Sequence, residues 1–162
     1  MAKKNYLHIP PVGQRDAMSC WAACLKWWYK AAKSITKSQK NLIAKYNYLT
    51  DEYGGMQPAE IEQVIIDNNM YIEVHDKASD FTSDVVQDRL RFGPLYVAFK
   101  ETSTQKNHVN VIHSLTGSGA SARVSVMEPQ VSENADLTWR GEHQVKFLSE
   151  FNVVGSVFFG YK

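Results

Sequence analysis

Apolar residues recur every three or four positions in the first half of the chain and at alternate positions in much of the second half. The clearest helical stripe consists of Met18, Trp21, Leu25, Trp28 and Ala32. This spacing puts one apolar face on a helix and predicts a helix over residues 16–34. Asp16 is its predicted N-cap, because a short carboxylate can accept a hydrogen bond from a free N–H of the first turn.

Three further helices are predicted from similar spacing. They cover residues 36–49, 57–69 and 82–93. Pro58 suits the first turn of the second of these helices, and Gly93 ends the third. Residues 51–56 read as a loop. Before the first helix, Pro10 and Pro11 favour an extended arm.

Segments rich in Val, Phe and Tyr predict a set of strands. They are residues 71–76, 94–99, 107–117, 122–129 and 153–161, with a helical turn expected within residues 142–151. Residues 1–70 are thus mainly helical and residues 71–162 mainly β. This order predicts one α+β domain of 162 residues, in which an N-terminal helical lobe packs on a C-terminal antiparallel sheet with a cleft between them.

Composition narrows the classes of partner. The formal net charge is +1, which gives no electrostatic reason to expect a nucleic acid. The apolar runs are too short for a membrane span, and the first residues lack the apolar stretch of a secretory signal. We therefore expect a monomer that stays in the cytoplasm or is exported by a specialised secretion system.

The chain has two cysteines, Cys20 and Cys24. Their spacing of four positions suits one helix face, where Cβ atoms lie about 5–6 Å apart, farther than the roughly 3.5–4.5 Å of a disulfide. Ligand spacings typical of structural zinc are also missing from the sequence. Cys20 falls in the first turn of the predicted helix, where free N–H groups favour a thiolate. Cys24 is predicted to lie in the core.

One predicted strand carries the best candidate for a base. His108 alternates with Asn110 on one strand face, whereas His113 lies on the other face and is expected to be a core residue. A hairpin folded about Ser118 would place Glu128 directly opposite His108. A carboxylate in that position could fix the imidazole tautomer and stabilise the imidazolium. A register slip of one residue would move Glu128 to the other face.

Several motifs together resemble the papain-like cysteine proteases. "SCWAA" around Cys20 is similar to the family's "SCWAF", and "GPLYVAF" is similar to the strand that precedes the catalytic histidine. "NHVNVIHSLTG" resembles the strand carrying that histidine, with His108 in its place. The resemblance implies the papain-like fold, Cys20 as nucleophile and His108 as its partner. It also implies that the Gln14 amide contributes to the oxyanion hole and that Glu128 is the third member.

The same resemblance implies a cysteine endopeptidase that forms a thioester acyl-enzyme and needs no metal or organic cofactor. Its partners would be a protein or peptide substrate and, for a delivered toxin, an inhibitor, an immunity protein or a host protein. The compact size is similar to that of bacteriocin-processing peptidases and of effector or toxin proteases from bacteria. The chain departs from the family pattern in three ways: the interval between Cys20 and His108 is short, Met18 replaces the glycine before "SC", and Glu128 replaces the usual Asn or Asp.

Other interpretations remain open for the sequence alone. Cys20 could be a buried packing thiol, His108 a structural histidine, Glu128 a solvated strand-end carboxylate and Gln14 an ordinary loop amide. The same dyad would also serve an amidase, a deamidase or a transglutaminase. A catalytically inactive binding module is a third possibility.

Overall fold

In the computed structural model, which describes residues 5–131 and 139–162, three α-helices precede the first strand. They are α1 (Cys20–Lys33), α2 (Gln39–Lys45) and α3 (Pro58–Asp67), and a fourth, α4 (Ser83–Leu90), follows the first strand. All four lie within predicted helical segments, and Pro58 occupies the first turn of α3 as expected. No helix in the described ranges combines the length and the apolar character needed to cross a bilayer.

Helix α1 begins four residues later than the prediction. Ser19 is the N-cap, so the assignment of that role to Asp16 was wrong. The Asp16 carboxylate instead accepts a hydrogen bond from the Met18 N–H at 2.9 Å, which closes a turn ahead of the helix. Met18 is therefore outside the helix and 39% exposed. The consequence for the site is that Cys20 is the first helical residue.

The apolar face of α1 is wider than the predicted stripe. Trp21, Leu25 and Trp28 are buried as expected, and Trp27 is fully buried as well. The indole N–H of Trp28 donates to the Pro94 carbonyl at 3.0 Å. Burial extends around the helix because the sheet covers one side while the N-terminal arm packs beside Trp27. Such enclosure holds the helix, and hence Cys20, rigidly.

Six strands form one antiparallel sheet in the described part of the chain. They are β1 (Tyr71–His75), β2 (Leu95–Lys100), β3 (Asn107–Thr116), β4 (Arg123–Glu128), β5 (Glu142–Phe147) and β6 (Val157–Tyr161). Their order across the sheet is β1-β6-β2-β3-β4-β5. The predicted α+β class and the antiparallel sheet are confirmed.

Strand β5 corrects the prediction of a helical turn within residues 142–151. Only Leu148–Glu150 form such a turn, a single 3-10 turn. The preceding six residues pair with β4, from Arg123 opposite Phe147 to Glu128 opposite Glu142. This pairing gives hydrogen-bond partners to backbone N–H and C=O groups along the edge of β4. The stabilisation from pairing outweighs a local sequence pattern that fits either a strand or a turn. At the other predicted strand end, residues 153–156 lie outside β6.

The two faces of the sheet support different layers. On one face α1 and α3 pack against a cluster that includes Tyr96, Val109 and Val111. On the other face α4 contributes Val86 to a second cluster, which also contains Ile112. Alternate residues of β3 thus point into different cores, as strand geometry requires. The helical lobe packs on the sheet as predicted.

A β-bulge sets the register of the β3–β4 hairpin. Near the turn Ser114 lies opposite Ser125, but beyond the bulge Ile112 lies opposite Val126. The predicted pairing of residue 112 with residue 124 was therefore wrong, because the connecting turn is longer than expected and contains a 3-10 segment at residues 119–121. Without the bulge, Glu128 would occupy the strand face opposite to that of His108. The extra residue, His113, restores the shared face.

Candidate active site

Cys20 is placed by the start of α1. It is half-buried, so its thiol has access to solvent. The Ser19 carbonyl accepts the N–H groups of Ala22 and Ala23 at 3.1 and 3.2 Å. The Cys20 N–H has no hydrogen-bond partner within residues 5–131 and 139–162. An unpaired N–H at a helix N-terminus is suited to stabilise negative charge beside the sulfur.

Two buried hydrogen bonds fix this end of α1 against the sheet. The Tyr96 hydroxyl on β2 donates to the Trp21 carbonyl at 2.9 Å. One turn after Cys20, the Cys24 thiol donates to the Val109 carbonyl at 3.3 Å. Cys24 is fully buried, as predicted. Since Val109 follows His108 in the chain, this contact brings the first turn of α1 alongside the beginning of β3.

The Cys20 thiol and the His108 imidazole meet at that point. Burial lowers the pKa of His108, but side-chain hydrogen bonds with Cys20 and Glu128 and the charges of both groups raise it to about 10. The His108 Nε2 atom lies 2.7 Å from Glu128 Oε2. Nδ1 is therefore the ring nitrogen left for the sulfur. A protonated imidazole held between a carboxylate and a cysteine side chain is the arrangement in which a thiol nucleophile can be activated.

Glu128 is buried, and both of its carboxylate oxygens accept hydrogen bonds. Its side chain is 6% exposed. Besides His108, its carboxylate accepts the Lys146 ammonium at 2.8 Å and the Gln130 N–H at 3.1 Å. Burial raises the pKa of Glu128, but the hydrogen bond and charge of His108, followed by those of Lys146, lower it to about 2. The group is thus a carboxylate at neutral pH.

A second carboxylate stands near the same imidazole. Glu101 Oε1 is 3.9 Å from His108 Nε2 and is partly exposed to the cleft. Glu101, His108 and Glu128 together offer three potential metal-ligand atoms within 4.8 Å of one another. Binding of a metal ion there is disfavoured, because the Lys146 ammonium already pairs with the Glu128 carboxylate and would repel a second cation.

Gln14 lies just ahead of α1 and is 1% exposed. Its Nε2 donates a hydrogen bond to the Asp16 carbonyl at 2.8 Å, and Gln14 is not among the described residues that line the cleft beside Cys20 and His108. The oxyanion-hole role of Gln14 therefore stays a prediction. The Gln14 Oε1 is buried without a partner in the described part of the chain. The flanking backbone is held by Gln39, whose side chain accepts the Arg15 N–H and donates to the Gly13 carbonyl.

Gly13 allows this segment to lie close to its neighbour. A Cβ atom at Gly13 would be 1.9 Å from the Trp139 carbonyl oxygen, a distance that no side chain tolerates. The Gln14 N–H also donates to the Pro129 carbonyl at 3.1 Å, directly after Glu128. The residues around Gln14 and Glu128 are consequently linked through the backbone.

A cleft of about 600 Å³ opens beside Cys20 and His108. One wall comes from the start of α1 and from residues 51–61, including Met56 and Ile61. The other wall comes from the β2–β3 hairpin and from Phe158 of β6. Its size suits several residues of an extended peptide or a small ligand.

The structure separates His113 from the cleft. His113 is buried against Trp27, and its Nε2 lies 3.2 Å from His143 Nδ1. Burial lowers the pKa of His113 to about 4, and the nearby His143 adds to the effect. The prediction that His113 is a core residue is confirmed. His143 in turn lies 2.8 Å from the Ile9 carbonyl, so this pair fastens the N-terminal arm.

Comparison with known proteins identifies the family. The peptidase domain of Streptococcus ComA, a bi-functional ABC transporter involved in a quorum sensing pathway, is similar in structure with a TM-score of 0.58. At 16% sequence identity, over 95% of this chain and 98% of that chain, it shows a shared fold. A search of curated proteins gives no match. The model of the family described as papain-like cysteine protease AvrRpt2 matches residues 3–142.

The chain belongs to this family. It is a papain-like cysteine protease, as its sequence motifs indicate, and the family implies protein or peptide substrates. The shared fold agrees with the predicted papain-like architecture.

The roles of two residues around the imidazole of this papain-like protease were not predicted from the sequence. Lys146 and Asn110 join the Glu128 network through a bond of 3.0 Å between the Lys146 ammonium and the Asn110 Oδ1. Asn110 was placed on the correct strand face but was given no role. The alternation of polar and apolar residues within residues 142–147, which is typical of a strand, is the sequence signal that points to Lys146.

Proposed function

We propose that this protease is an endopeptidase in which Cys20 is the nucleophile and His108 its acid–base partner. The proposal rests above all on one observation: Cys20 at the start of α1 meets the His108 imidazole in an open cleft, and Glu128 occupies the other ring nitrogen. These three groups occupy the roles of nucleophile, acid–base group and orienting group.

In the acylation step, Cys20 Sγ attacks the carbonyl carbon of the scissile peptide. The carbonyl oxygen becomes an oxyanion, which the free Cys20 N–H can stabilise. A single donor of this kind typically lowers the barrier by about 2.7–4 kcal/mol. His108 then gives its Nδ1 proton to the departing amine as the C–N bond breaks, and a thioester remains on Cys20.

In the deacylation step, His108 accepts a proton from a water molecule that attacks the thioester carbonyl. The C–S bond breaks, the acid product leaves, and the proton returns to the Cys20–His108 pair. Glu128 holds the ring orientation through both steps and stabilises the imidazolium. The cleft walls provide the surface along which an extended peptide would lie.

A survey of reaction products tests this function. We expect incubation with protein extracts to create new N- and C-termini, which mass spectrometry of labelled terminal amines would identify. Enzyme inactivated by a thiol-directed epoxide serves as the blank. An amidase, deamidase or transglutaminase would modify side chains and leave chain length unchanged. Side-chain modification without new termini would contradict the endopeptidase proposal.

We also propose that the protein is an exported effector or toxin whose substrates belong to a host or rival cell. This proposal is supported by the match to the family described as papain-like cysteine protease AvrRpt2 and by a compact size similar to that of effector and toxin proteases from bacteria. The survey of termini addresses it as well, since extracts of the producing cell and of foreign cells can be compared. Cleavage confined to the producing cell's own proteins would contradict it.

A further inference from the structure

The buried carboxylate of Glu128 is held by two cations on different strands. His108 of β3 occupies one oxygen and Lys146 of β5 the other, at 2.7 and 2.8 Å. The Lys146 side chain is only 15% exposed. Lys146 faces Val124 on the neighbouring strand, and its side chain extends along the sheet to Glu128, four residues further along that strand. A lysine is rarely buried to this extent unless its charge is paired.

Lys146 is itself fixed by two further contacts. Its ammonium donates to Asn110 Oδ1 at 3.0 Å, and it lies 6.0 Å from the centre of the Phe151 ring. Asn110 belongs to β3 and shares the face of His108. The ammonium thus bridges β3, β4 and β5 on one face of the sheet, and its direction toward the carboxylate is defined by more than one partner.

We propose that Lys146 is a positioning residue of this protease, which holds Glu128 ionised and turned toward His108. The inference rests on the proposed roles of Cys20 and His108. Lys146 acts through Glu128 and contacts neither Cys20 Sγ nor His108 Nδ1. With one carboxylate oxygen held by the ammonium, the other is left to accept His108 and the Gln130 N–H.

The surroundings of Glu128 make this second cation important. Its neighbours are His108 of β3, Lys146 of β5 and the Cys24 thiol of α1, and Glu101 lies across the imidazole. Of these, only the histidine and the lysine can carry positive charge. If the lysine is lost, a buried carboxylate keeps one cationic partner and faces a stronger tendency to take up a proton.

Lys146→Met tests the proposal in the full-length enzyme. We expect kcat/KM for a cleavable peptide to fall about tenfold or more, and the acid limb of its pH profile to move to higher pH. The direction follows because loss of the ammonium raises the pKa of Glu128 above its value of about 2. Lys45→Met is the matched control, since Lys45 pairs with a carboxylate, Asp67, at the exposed surface.

A double-mutant cycle separates positioning from a general structural role. In a Glu128→Gln background, Lys146→Met should change kcat/KM by no more than about twofold, because the group through which it acts has lost its charge. An equal loss in both backgrounds would overturn the proposal, as would an unshifted acid limb. If Lys146→Met does not fold, the same measurements are made on Lys146→Gln, because a glutamine can keep polar contacts with Asn110.

A spectroscopic titration tests Lys146 independently of peptidase activity. The 13C signal of the Glu128 carboxyl should titrate at higher pH in the Lys146 variant than in the unmodified protein and in Lys45→Met. An unchanged titration would overturn the proposal even if no substrate were cleaved. The two proposals can also fail separately. If the Glu128 titration shifts as expected but peptide cleavage does not depend on Cys20, the role of Lys146 is supported and only the proposed function is contradicted.

Discussion

Replacing Cys20 with Ala should reduce kcat/KM by about 10⁴-fold or more and abolish labelling by a thiol-directed epoxide. The expected loss is this large because the sulfur forms the covalent intermediate, and residual catalysis in proteases without their nucleophile comes only from substrate binding and the oxyanion hole. Cys20 is half-buried at the beginning of α1, so removing its Sγ atom leaves the packing of the tryptophans intact. Steady-state kinetics on a cleaved peptide would measure the effect.

Cys24→Ala is the matched control for this substitution. Cys24 lies one turn further along the same helix, is fully buried and donates to the Val109 carbonyl. Burial, with the nearby charges of Cys20 and Glu128, raises the pKa of its thiol, which keeps it protonated. We expect Cys24→Ala to lose some stability and to keep most of its activity. Loss of activity in Cys24→Ala, with Cys20→Ala fully active, would refute the assignment of the nucleophile.

Replacing Glu128 with Gln should lower kcat/KM by about 10⁴-fold, the loss typical of an orienting carboxylate in a triad. The substitution keeps the side-chain size but removes the charge that stabilises the imidazolium. Because Glu128 contributes to the raised pKa of His108, its loss lowers that pKa. The alkaline limb of the kcat/KM profile should therefore move to lower pH, since the protonated imidazole is needed for the departing amine.

Glu101→Gln provides the comparison for Glu128. Glu101 is the other carboxylate near His108 Nε2, but it lies 3.9 Å away and is partly exposed. Solvent screens its charge, so we expect a much smaller change in kcat/KM and no shift of the alkaline limb. A large loss in Glu101→Gln together with near-normal activity in Glu128→Gln would show that Glu101 is the orienting carboxylate.

The prediction that His108 and Glu128 share one face of the sheet was right, but the register from which it was derived was not. Alternation along β3 and β4 fixes which side chains share a face. The pairing depends on the turn and on the bulge at His113, and neither has a clear local signal. The predicted pairing was wrong by two residues, an even number, and for that reason the two side chains still meet.

Helix α1 shows a similar division between what local pattern predicts and what packing decides. The apolar spacing around Trp21, Leu25 and Trp28 was sufficient to predict the helix and its buried side. Its first residue depended on whether Asp16 or Ser19 served as the N-cap, and a turn closed by the Asp16 carboxylate decided this. The shift matters for function because it makes Cys20 the first residue of the helix.

The network beyond Glu128 could not be derived from the sequence. Lys146 lies on β5, where the alternation of polar and apolar residues is short and also fits a helical turn. Pairing with β4 turns Lys146 toward the interior, where its long side chain reaches Glu128 and Asn110. Contacts of this kind depend on strand order and register, which are tertiary properties.

The most direct test of the site is the rate at which iodoacetamide alkylates each cysteine near pH 6, followed by peptide mass mapping. If Cys20 and His108 form a working pair, Cys20 is alkylated rapidly, Cys24 remains unmodified, and His108→Ala slows the reaction of Cys20 by about tenfold or more. A rate at Cys20 that does not depend on His108, or preferential modification of Cys24, would contradict the account.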